Sequence, residues 1–203
     1  MKEFWDDRYA SETYVFGEEP NVFFREQIDQ LPAGRLLLPA EGEGRNAVYA
    51  ARKGWKVSAF DMSEQARRKA EQLADRHGVK IDYQVAAMPH VEYPAATFDL
   101  AALIFVHFPD EKQQQFHSKI WSWIRPGGRL ILEGYHKTHI AYREKYGSVG
   151  GPGSEAFMYD LDSLMEGFPG ALKLMAEECE IDLAEGDNHT GLSRVVRLHL
   201  QKP

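Results

Sequence analysis

The chain has one cysteine, no long block of basic residues and no long apolar run. A single cysteine, Cys179, excludes an internal disulfide and is typical of proteins from reducing compartments. No stretch of about 18 consecutive apolar residues is present, and the opening MKEFWDDRYASE lacks the apolar core of a signal peptide. We therefore expect a cytoplasmic protein without a membrane partner.

Positive charge is also scarce. The 203 residues include 24 Lys and Arg against 31 Asp and Glu, which gives a net charge of −7. Nucleic-acid binding needs a basic surface to contact phosphates. The charge balance therefore predicts a small-molecule substrate and no nucleic-acid partner, and it does not indicate an oligomeric state.

Strands and helices alternate through the middle of the chain. Apolar runs that end at Pro, Gly or Asp predict five strands, and the segments between them carry helical spacing and caps such as Ser63. The predicted strands are 35–39, 55–60, 80–85, 98–105 and 129–133, and the helices between them include 45–53, 63–77 and about 110–124. This alternation predicts a doubly wound, mostly parallel sheet.

The two ends of the chain differ from this pattern. Residues 1–33 are polar and aromatic, with a helix predicted from Pro20 to about Gln30. Residues 135–158 are predicted as a loop, with a short helix near 160–167 after them. The β-rich runs 172–184 and 193–200 have no helix between them and predict an antiparallel hairpin. We expect one α/β, Rossmann-like domain, 1–203, with an N-terminal cover (1–33), a cofactor-binding core (34–134) and a substrate-side loop with a closing hairpin (135–203).

An acidic glycine turn follows the first predicted strand. Glu41, Gly42, Glu43 and Gly44 lead into a helix, and Asp61 ends the second strand, which is the arrangement of a nucleoside site in α/β proteins. Two carboxylates would repel the pyrophosphate of a dinucleotide, whereas S-adenosylmethionine brings a positive sulfonium and ammonium. The turn therefore favours S-adenosylmethionine, with at least one glutamate facing the ammonium and Asp61 on the ribose hydroxyls. The alternatives are a purely structural turn and solvated surface acids.

Five further residues complete the predicted cofactor site. Asn46 follows the acidic turn, Met62 follows Asp61, and Phe105 ends the fourth strand at the edge where open sheets bind ligands. Ala87 and Met88 lie by position at the adenine edge. Met62 is expected to pack on the adenine, and packing in the core is the alternative.

Two histidines are predicted catalytic residues. His107 follows the fourth strand and His189 lies in the hairpin turn, where either could act on an acceptor. A helix-capping role for His107 and a surface position for His189 are the alternatives. The spacing of His136, His139 and His189 matches no compact metal motif, so no metal is expected.

The chain resembles the class I S-adenosylmethionine-dependent methyltransferases. The residues that carry the resemblance are the acidic turn 41–44, Asp61, and Arg125-Pro126-Gly127-Gly128 before the fifth strand. Within that superfamily the chain is similar to the branch of tellurite-resistance and thiopurine methyltransferases, in its opening Trp5…Arg8-Tyr9…Tyr14 and in Glu185-Gly186…His189-Thr190-Gly191. The resemblance implies methyl transfer to a small acceptor, with a thiol or a metalloid oxyanion as candidates.

The chain departs from the family pattern at three places. It has Leu38 where family members usually carry an acid, Ala40 where a glycine is frequent, and Ala87-Met88 where relatives often place an acid for the adenine amino group. A catalytically silent binder of S-adenosylmethionine or S-adenosylhomocysteine is therefore an alternative. A nicotinamide oxidoreductase is another, because residues 42–47 formally fit G-x-G-x-x-A.

Overall fold

One seven-stranded sheet forms the centre of the protein. A computed structural model describes all residues from 1 to 203. The strand order is β3-β2-β1-β4-β5-β7-β6, with β1 to β5 parallel and β7 antiparallel to both β5 and β6. The strands are β1 (Arg35–Pro39), β2 (Lys56–Asp61), β3 (Asp82–Val85), β4 (Phe98–Ile104), β5 (Ile124–Tyr135), β6 (Leu172–Glu185) and β7 (His189–Gln201).

Seven helices lie at the N-terminus and on the faces of the sheet. They are α1 (Lys2–Tyr9), α2 (Val22–Ile28), α3 (Arg45–Arg52), α4 (Glu64–Arg76), α5 (Asp110–Trp123), α6 (His139–Tyr146) and α7 (Leu161–Met165). Successive strand residues point to opposite faces, so Leu36 and Leu38 pack with Phe24 of α2, whereas Leu37 belongs to the cluster on the other face with Ile120 of α5. Both faces are thus covered, which is why the parallel strands are apolar along most of their length.

The predicted fold class is confirmed. All five parallel strands and the closing antiparallel hairpin are present, and the Ser63 side chain accepts from the Ala66 amide as the predicted cap of α4. No helix of the structure combines the length and the apolar character needed to cross a lipid bilayer.

Three local predictions were wrong. The segment predicted as a loop contains α6, whose last residue is followed by Gly147 in a left-handed conformation. The polar opening contains α1, which was not predicted. The helix predicted to start at Pro20 instead begins after Asn21, because the Asn21 side chain accepts from the Phe24 amide and caps α2.

Candidate cofactor and acceptor site

The acidic turn that follows β1 is tight, and its two glycines have left-handed backbone conformations. Gly42 and Gly44 have φ of +65° and +89°, which glycine adopts without steric cost. A Cβ atom on Gly44 would lie 2.6 Å from that of Ala70, and one on Gly42 would lie 2.9 Å from the hydroxyl of Tyr9. The turn therefore requires glycine at both positions, and α1 lies directly over it.

Asp61 fixes this turn from the end of β2. Its carboxylate accepts from the Gly42 amide at 3.1 Å and from the Ser63 amide at 2.9 Å. Burial raises the pKa of Asp61 to about 6, and the two amide hydrogen bonds oppose that shift. Each oxygen keeps a second lone pair, so the carboxylate can still accept from a diol.

A tyrosine that the sequence did not single out holds the same turn. The Tyr83 hydroxyl on β3 donates to the Gly42 carbonyl at 2.6 Å. The backbone of Gly42 is thus fixed through its amide by Asp61 and through its carbonyl by Tyr83. Alternation of side chains along a short strand gave no signal for this role, because it depends on the register between β3 and β2.

Glu41 and Glu43 have different environments. Glu41 is partly exposed and accepts from the Ala47 amide at 2.7 Å, which caps the first turn of α3 where Gly44 has no side chain to do so. Burial raises the pKa of Glu41 to about 7. Of the two glutamates, Glu41 is the one whose carboxylate remains available to an ammonium.

Glu43 is turned away from the site. Its carboxylate forms an ion pair with Lys69 of α4 at 2.5 Å and accepts from the Val15 amide at 2.8 Å. These partners use the carboxylate to hold the N-terminal segment against α4. These partners give Glu43 a structural role, and its predicted contact with the cofactor stays a prediction.

Asn46 and Met88 also have structural partners. The Asn46 side chain accepts from the Asn21 amide at 2.9 Å, and Met88 is 5% exposed in the core beside α5. These contacts give both side chains a structural role, and their predicted contacts with the cofactor stay predictions. Met62 and Ala87 remain partly exposed beside Asp61 and after β3, where a nucleoside base would lie.

A buried polar network lies beneath the cover. The side-chain amide of Asn21 donates to Glu133 of β5 at 2.7 Å and to Glu185 of β6 at 2.9 Å. Arg197 pairs with Glu133 at 2.5 Å, and Arg45 pairs with Glu185 at 2.7 Å. Each buried carboxylate thus has its own guanidinium, and one asparagine joins the two pairs.

Aromatic rings line the carboxyl ends of β4 and β5. Phe105 has a φ of +53°, which is unfavourable for a bulky residue and is a conformation that concentrates at functional sites. Its ring centroid lies 4.4 Å from that of His189 and 4.8 Å from that of Tyr135. Phe16 of the cover lies on His189 as well, at 4.4 Å. The predicted position of Phe105 at the ligand edge therefore coincides with an aromatic cluster.

His107 is not placed to act on an acceptor. Its Nδ1 atom is 2.8 Å from the Phe157 carbonyl, and its Nε2 atom accepts from the Tyr135 amide. Burial lowers the pKa of His107 to about 3, so the ring is neutral with both nitrogens engaged. Neither the predicted catalytic role nor the helix-capping alternative agrees with these contacts; the residue fixes the loop after β4 to the segment before α7.

His189 is buried rather than on the surface, at 6% exposure. Its Nδ1 atom lies 3.5 Å from the Glu185 carboxylate and has no closer partner. The structure therefore brings His189, Phe105 and Glu185 together, and the surface alternative is wrong. The other two histidines considered for metal binding have local partners: His136 contacts Thr138, and His139 stacks on Tyr135 at 4.3 Å.

The residues present fit S-adenosylmethionine. The Tyr9 hydroxyl covers the backbone of the glycine turn at Gly42. Glu41 and Asp61 are carboxylates whose hydrogen-bond partners are backbone amides, and neither forms an ion pair with a cationic side chain. Glu41 would hold the ammonium, Asp61 the ribose hydroxyls, and Met62 with Ala87 the base. When bound, the cofactor supplies an electrophilic methyl group on its sulfonium.

Comparison with known proteins agrees with this assignment. Residues 39–128 match the family described as "Methyltransferase domain". A curated relative, the tRNA 5-carboxymethoxyuridine methyltransferase of Escherichia coli K12, is 33% identical over 109 residues, which are 50% of this chain and 40% of that protein. The match thus spans well under half of the curated relative.

Solved structures of similar fold come from several methyltransferases. Magnesium protoporphyrin IX methyltransferase from Synechocystis PCC 6803, determined with bound S-adenosylhomocysteine, has a TM-score of 0.70 at 16% identity and covers 100% of this chain and 98% of its own. TehB from Haemophilus influenzae has a TM-score of 0.71 at 12% identity and covers 100% of this chain and 67% of its own.

The fold and the matched segment define the class: the chain has the class I methyltransferase fold. The segment that matches the methyltransferase family, residues 39–128, contains the acidic turn and Asp61.

Proposed function

We propose that the protein is an S-adenosylmethionine-dependent methyltransferase that acts on a small-molecule acceptor. The observation that carries the proposal is the pair of acids without cationic partners, Glu41 and Asp61, on either side of a glycine turn fixed by the Asp61–Gly42 hydrogen bond. Such a site attracts a cationic nucleoside and repels a dinucleotide.

The protein contributes to methyl transfer by aligning the donor with the acceptor and by excluding water from the site. Methyl transfer from a sulfonium is an in-line displacement, and holding donor and acceptor in that geometry supplies much of the rate. Tyr9 and Phe16 of the cover lie over the turn and over His189, and they would exclude water from both halves of the site.

The acceptor is proposed to be a small molecule, with a thiol or a metalloid oxyanion as the candidates that the family resemblance suggests. The E. coli relative is named for a tRNA substrate. Against a tRNA for this chain stands its net charge of −7, since phosphate binding needs a basic footprint. Because the relative is named for a tRNA substrate, the acceptor panel below includes a tRNA.

Calorimetric titration with S-adenosylmethionine, S-adenosylhomocysteine and NADH tests the cofactor. We expect binding of the first two ligands and none of NADH. Asp61→Asn should weaken binding at least tenfold, because the amide loses the charge and one acceptor oxygen. Asp82→Asn, on the exposed start of β3, is the matched control and should bind as the wild type does.

Turnover separates an enzyme from a silent binder. Formation of S-adenosylhomocysteine is followed with a thiol, an amine, a phenol, selenite, tellurite and unmodified tRNA as acceptors. If the protein binds S-adenosylmethionine but methylates none of these acceptors, that result would favour the non-catalytic alternative, which the missing acids at Leu38 and at Ala87-Met88 suggest. Binding of NADH alone would contradict the proposal.

A further inference from the structure

We propose that His189 removes a proton from the acceptor during methyl transfer, with Glu185 orienting its ring, so that the acceptor is a neutral thiol, hydroxyl or amine. This inference rests on the proposed function, because it concerns the same site. A metalloid oxyanion is methylated on a lone pair of its central atom and needs no general base, so the proposal makes it the disfavoured candidate.

The position of His189 places its ring at the ligand edge of the sheet. His189 is the first residue of β7, and its ring lies between Phe16 of the cover and Phe105 at the carboxyl end of β4, with both centroids at 4.4 Å. Phe105 has a strained backbone, with a φ of +53°. The imidazole is therefore fixed from two sides and cannot turn freely.

The hydrogen-bonding state of the ring is that of a base. The Nδ1 atom is buried without a short hydrogen bond, and the Glu185 carboxylate lies 3.5 Å from it. A neutral imidazole has one N–H, and the carboxylate favours that proton on Nδ1. The lone pair then lies on Nε2, which makes no hydrogen bond to the protein. Catalytic hydrogen bonds are frequently long before ligands bind and shorten in the complex.

Glu185 is fixed and remains ionised. It accepts from Arg45 at 2.7 Å and from Asn21 at 2.9 Å. Burial alone would raise the pKa of Glu185, but the interaction with His189 and the charge of Arg45 outweigh it and hold the pKa at about 2. Glu185 therefore does not take the proton itself; it stabilises the imidazolium that forms on His189.

The charged and titratable groups around His189 leave it neutral and reactive at pH 7. Burial lowers the pKa of His189, Glu185 opposes this shift, and Arg45 and Arg8 add to it. The pKa values of the two nearby histidines are about 3 and about 4, so neither carries charge at neutral pH. The groups that face the ring are Glu185, Arg45, Arg8, Tyr135, His139 and His107.

The proposed step balances as follows. A lone pair of the acceptor atom forms the new bond to the methyl carbon, and the carbon–sulfur bond breaks with its electron pair on sulfur. The acceptor proton passes to Nε2 of His189. The positive charge of the sulfonium thus ends on the imidazolium beside Glu185, and the products are the methylated acceptor and S-adenosylhomocysteine.

Kinetics of His189→Gln and Glu185→Gln test the proposal with the acceptor panel above. We expect kcat for a proton-bearing acceptor to fall about 100-fold at pH 7 in His189→Gln. The decrease of kcat toward low pH, which the protonation of His189 causes in the wild type, should be absent in this variant. KM and S-adenosylhomocysteine affinity should change less than threefold. Glu185→Gln should give an intermediate loss. His77→Gln, at the exposed end of α4, is the control and should behave as the wild type does.

Nuclear magnetic resonance of histidine-labelled protein with S-adenosylhomocysteine gives a readout that does not depend on turnover. The resonance lost in His189→Gln should report the Nδ1–H tautomer, and Glu185→Gln should shift it toward Nε2–H. An Nε2–H tautomer in the wild type would overturn the proposal, as would turnover of oxyanions alone or an unchanged kcat in His189→Gln. Retained S-adenosylhomocysteine binding with any of these results rejects this inference only, whereas loss of binding in the wild type rejects the proposed function.

Discussion

Lys69 and Glu43 form an ion pair in which the two side chains are only 5% and 3% exposed. The same ammonium donates to the Ser11 carbonyl at 2.9 Å and to the Thr13 carbonyl at 2.6 Å. One side chain of α4 therefore connects the glycine turn to the N-terminal cover, and three segments meet at a single charge.

Lys69→Met should lower the free energy of unfolding by about 3–5 kcal/mol, because it leaves the Glu43 carboxylate buried without its cation. Denaturant unfolding measures this loss. Arg67→Met on the same helix is the control: its pairs with Glu64 and Glu71 are exposed, so the change should stay within about 0.5 kcal/mol. Equal losses in both variants would contradict the assigned role of Lys69.

Cofactor affinity should rise with pH through the neutral range. The pKa values of Glu41 and Asp61 are raised to about 7 and about 6, so both acids are partly protonated below pH 7 in the free protein. A bound ammonium and diol favour the carboxylates, so binding releases protons. We expect the dissociation constant of S-adenosylhomocysteine to fall about tenfold from pH 6 to pH 8.

Calorimetry in buffers of different ionisation enthalpy measures the released protons. Glu41→Gln keeps the acceptor for the Ala47 amide but removes the upper titration, so it should bind more weakly and release fewer protons near pH 7. A wild-type affinity that does not vary between pH 6 and pH 8 would exclude Glu41 from the ammonium site.

Tyr83→Phe should weaken cofactor binding several-fold with a stability loss of about 1 kcal/mol, because the Gly42 carbonyl loses its donor and the turn loses one of its two fixed points. Titration with S-adenosylhomocysteine and thermal unfolding measure the two effects. Tyr49→Phe removes a hydroxyl that contacts exposed Asp29, and it should leave binding unchanged.

His117 should make the protein less stable in acid. The ring is 1% exposed among aromatic side chains, its Nε2 atom has no partner, and burial lowers its pKa to about 3. The unfolded chain binds a proton on this residue below about pH 6.5 and the folded chain does not, so stability falls from pH 6.5 toward pH 3. The contribution is about 1.4 kcal/mol for each pH unit.

His117→Leu should abolish that part of the pH dependence. Its gain in stability over the wild type should be about 2 kcal/mol greater at pH 5 than at pH 8, measured by denaturant unfolding at both values. The other buried groups titrate alike in both proteins and cancel in the comparison. His77→Gln is the control for an exposed histidine. If the stability difference between His117→Leu and the wild type does not vary with pH, then the pKa of His117 is the same in the folded protein as in the unfolded chain.

Ala40→Gly and Ala96→Gly should each stabilise the protein by about 0.5–1 kcal/mol. Both alanines have positive φ, of +47° and +56°, where a Cβ atom is strained and glycine is not. Ala51→Gly, inside α3, is the opposite control and should cost about 1 kcal/mol. Thermal unfolding of the three variants measures whether each change raises or lowers stability. A gain in stability in Ala51→Gly would contradict the attribution of the effect to the positive φ of Ala40 and Ala96.

The sheet and the acidic turn were predictable from the sequence because their signals are local. Apolar runs, the caps of α4 and the glycines of the turn each depend on a few neighbouring residues, and the helices between the strands predict that the strands run parallel. The position of Asp61 at the turn followed from the same logic, since β1 and β2 are adjacent parallel strands.

The roles of single side chains were less predictable because they depend on distant partners. Glu43 and Glu41 look equivalent in sequence, and only the approach of Lys69 to one of them separates a structural acid from a ligand-facing one. The two histidines likewise differ through their partners. His107 contacts Phe157, which is 50 residues further along the chain, and His189 lies beside Glu185 across the hairpin turn. The helix α6 was missed because the glycines after it suggested a loop.

The bridge made by Asn21 also separates early from late steps in closing the site. Asn21 is 112 residues before Glu133 and 164 residues before Glu185, and contacts of such separation are slow to form because a long loop must close first. Tyr9 and Lys69 contact the glycine turn and the cover over much shorter separations. A nascent chain can therefore seat its cover on the glycine turn early, whereas the polar bridge beneath the cover is completed only when the final hairpin joins the sheet.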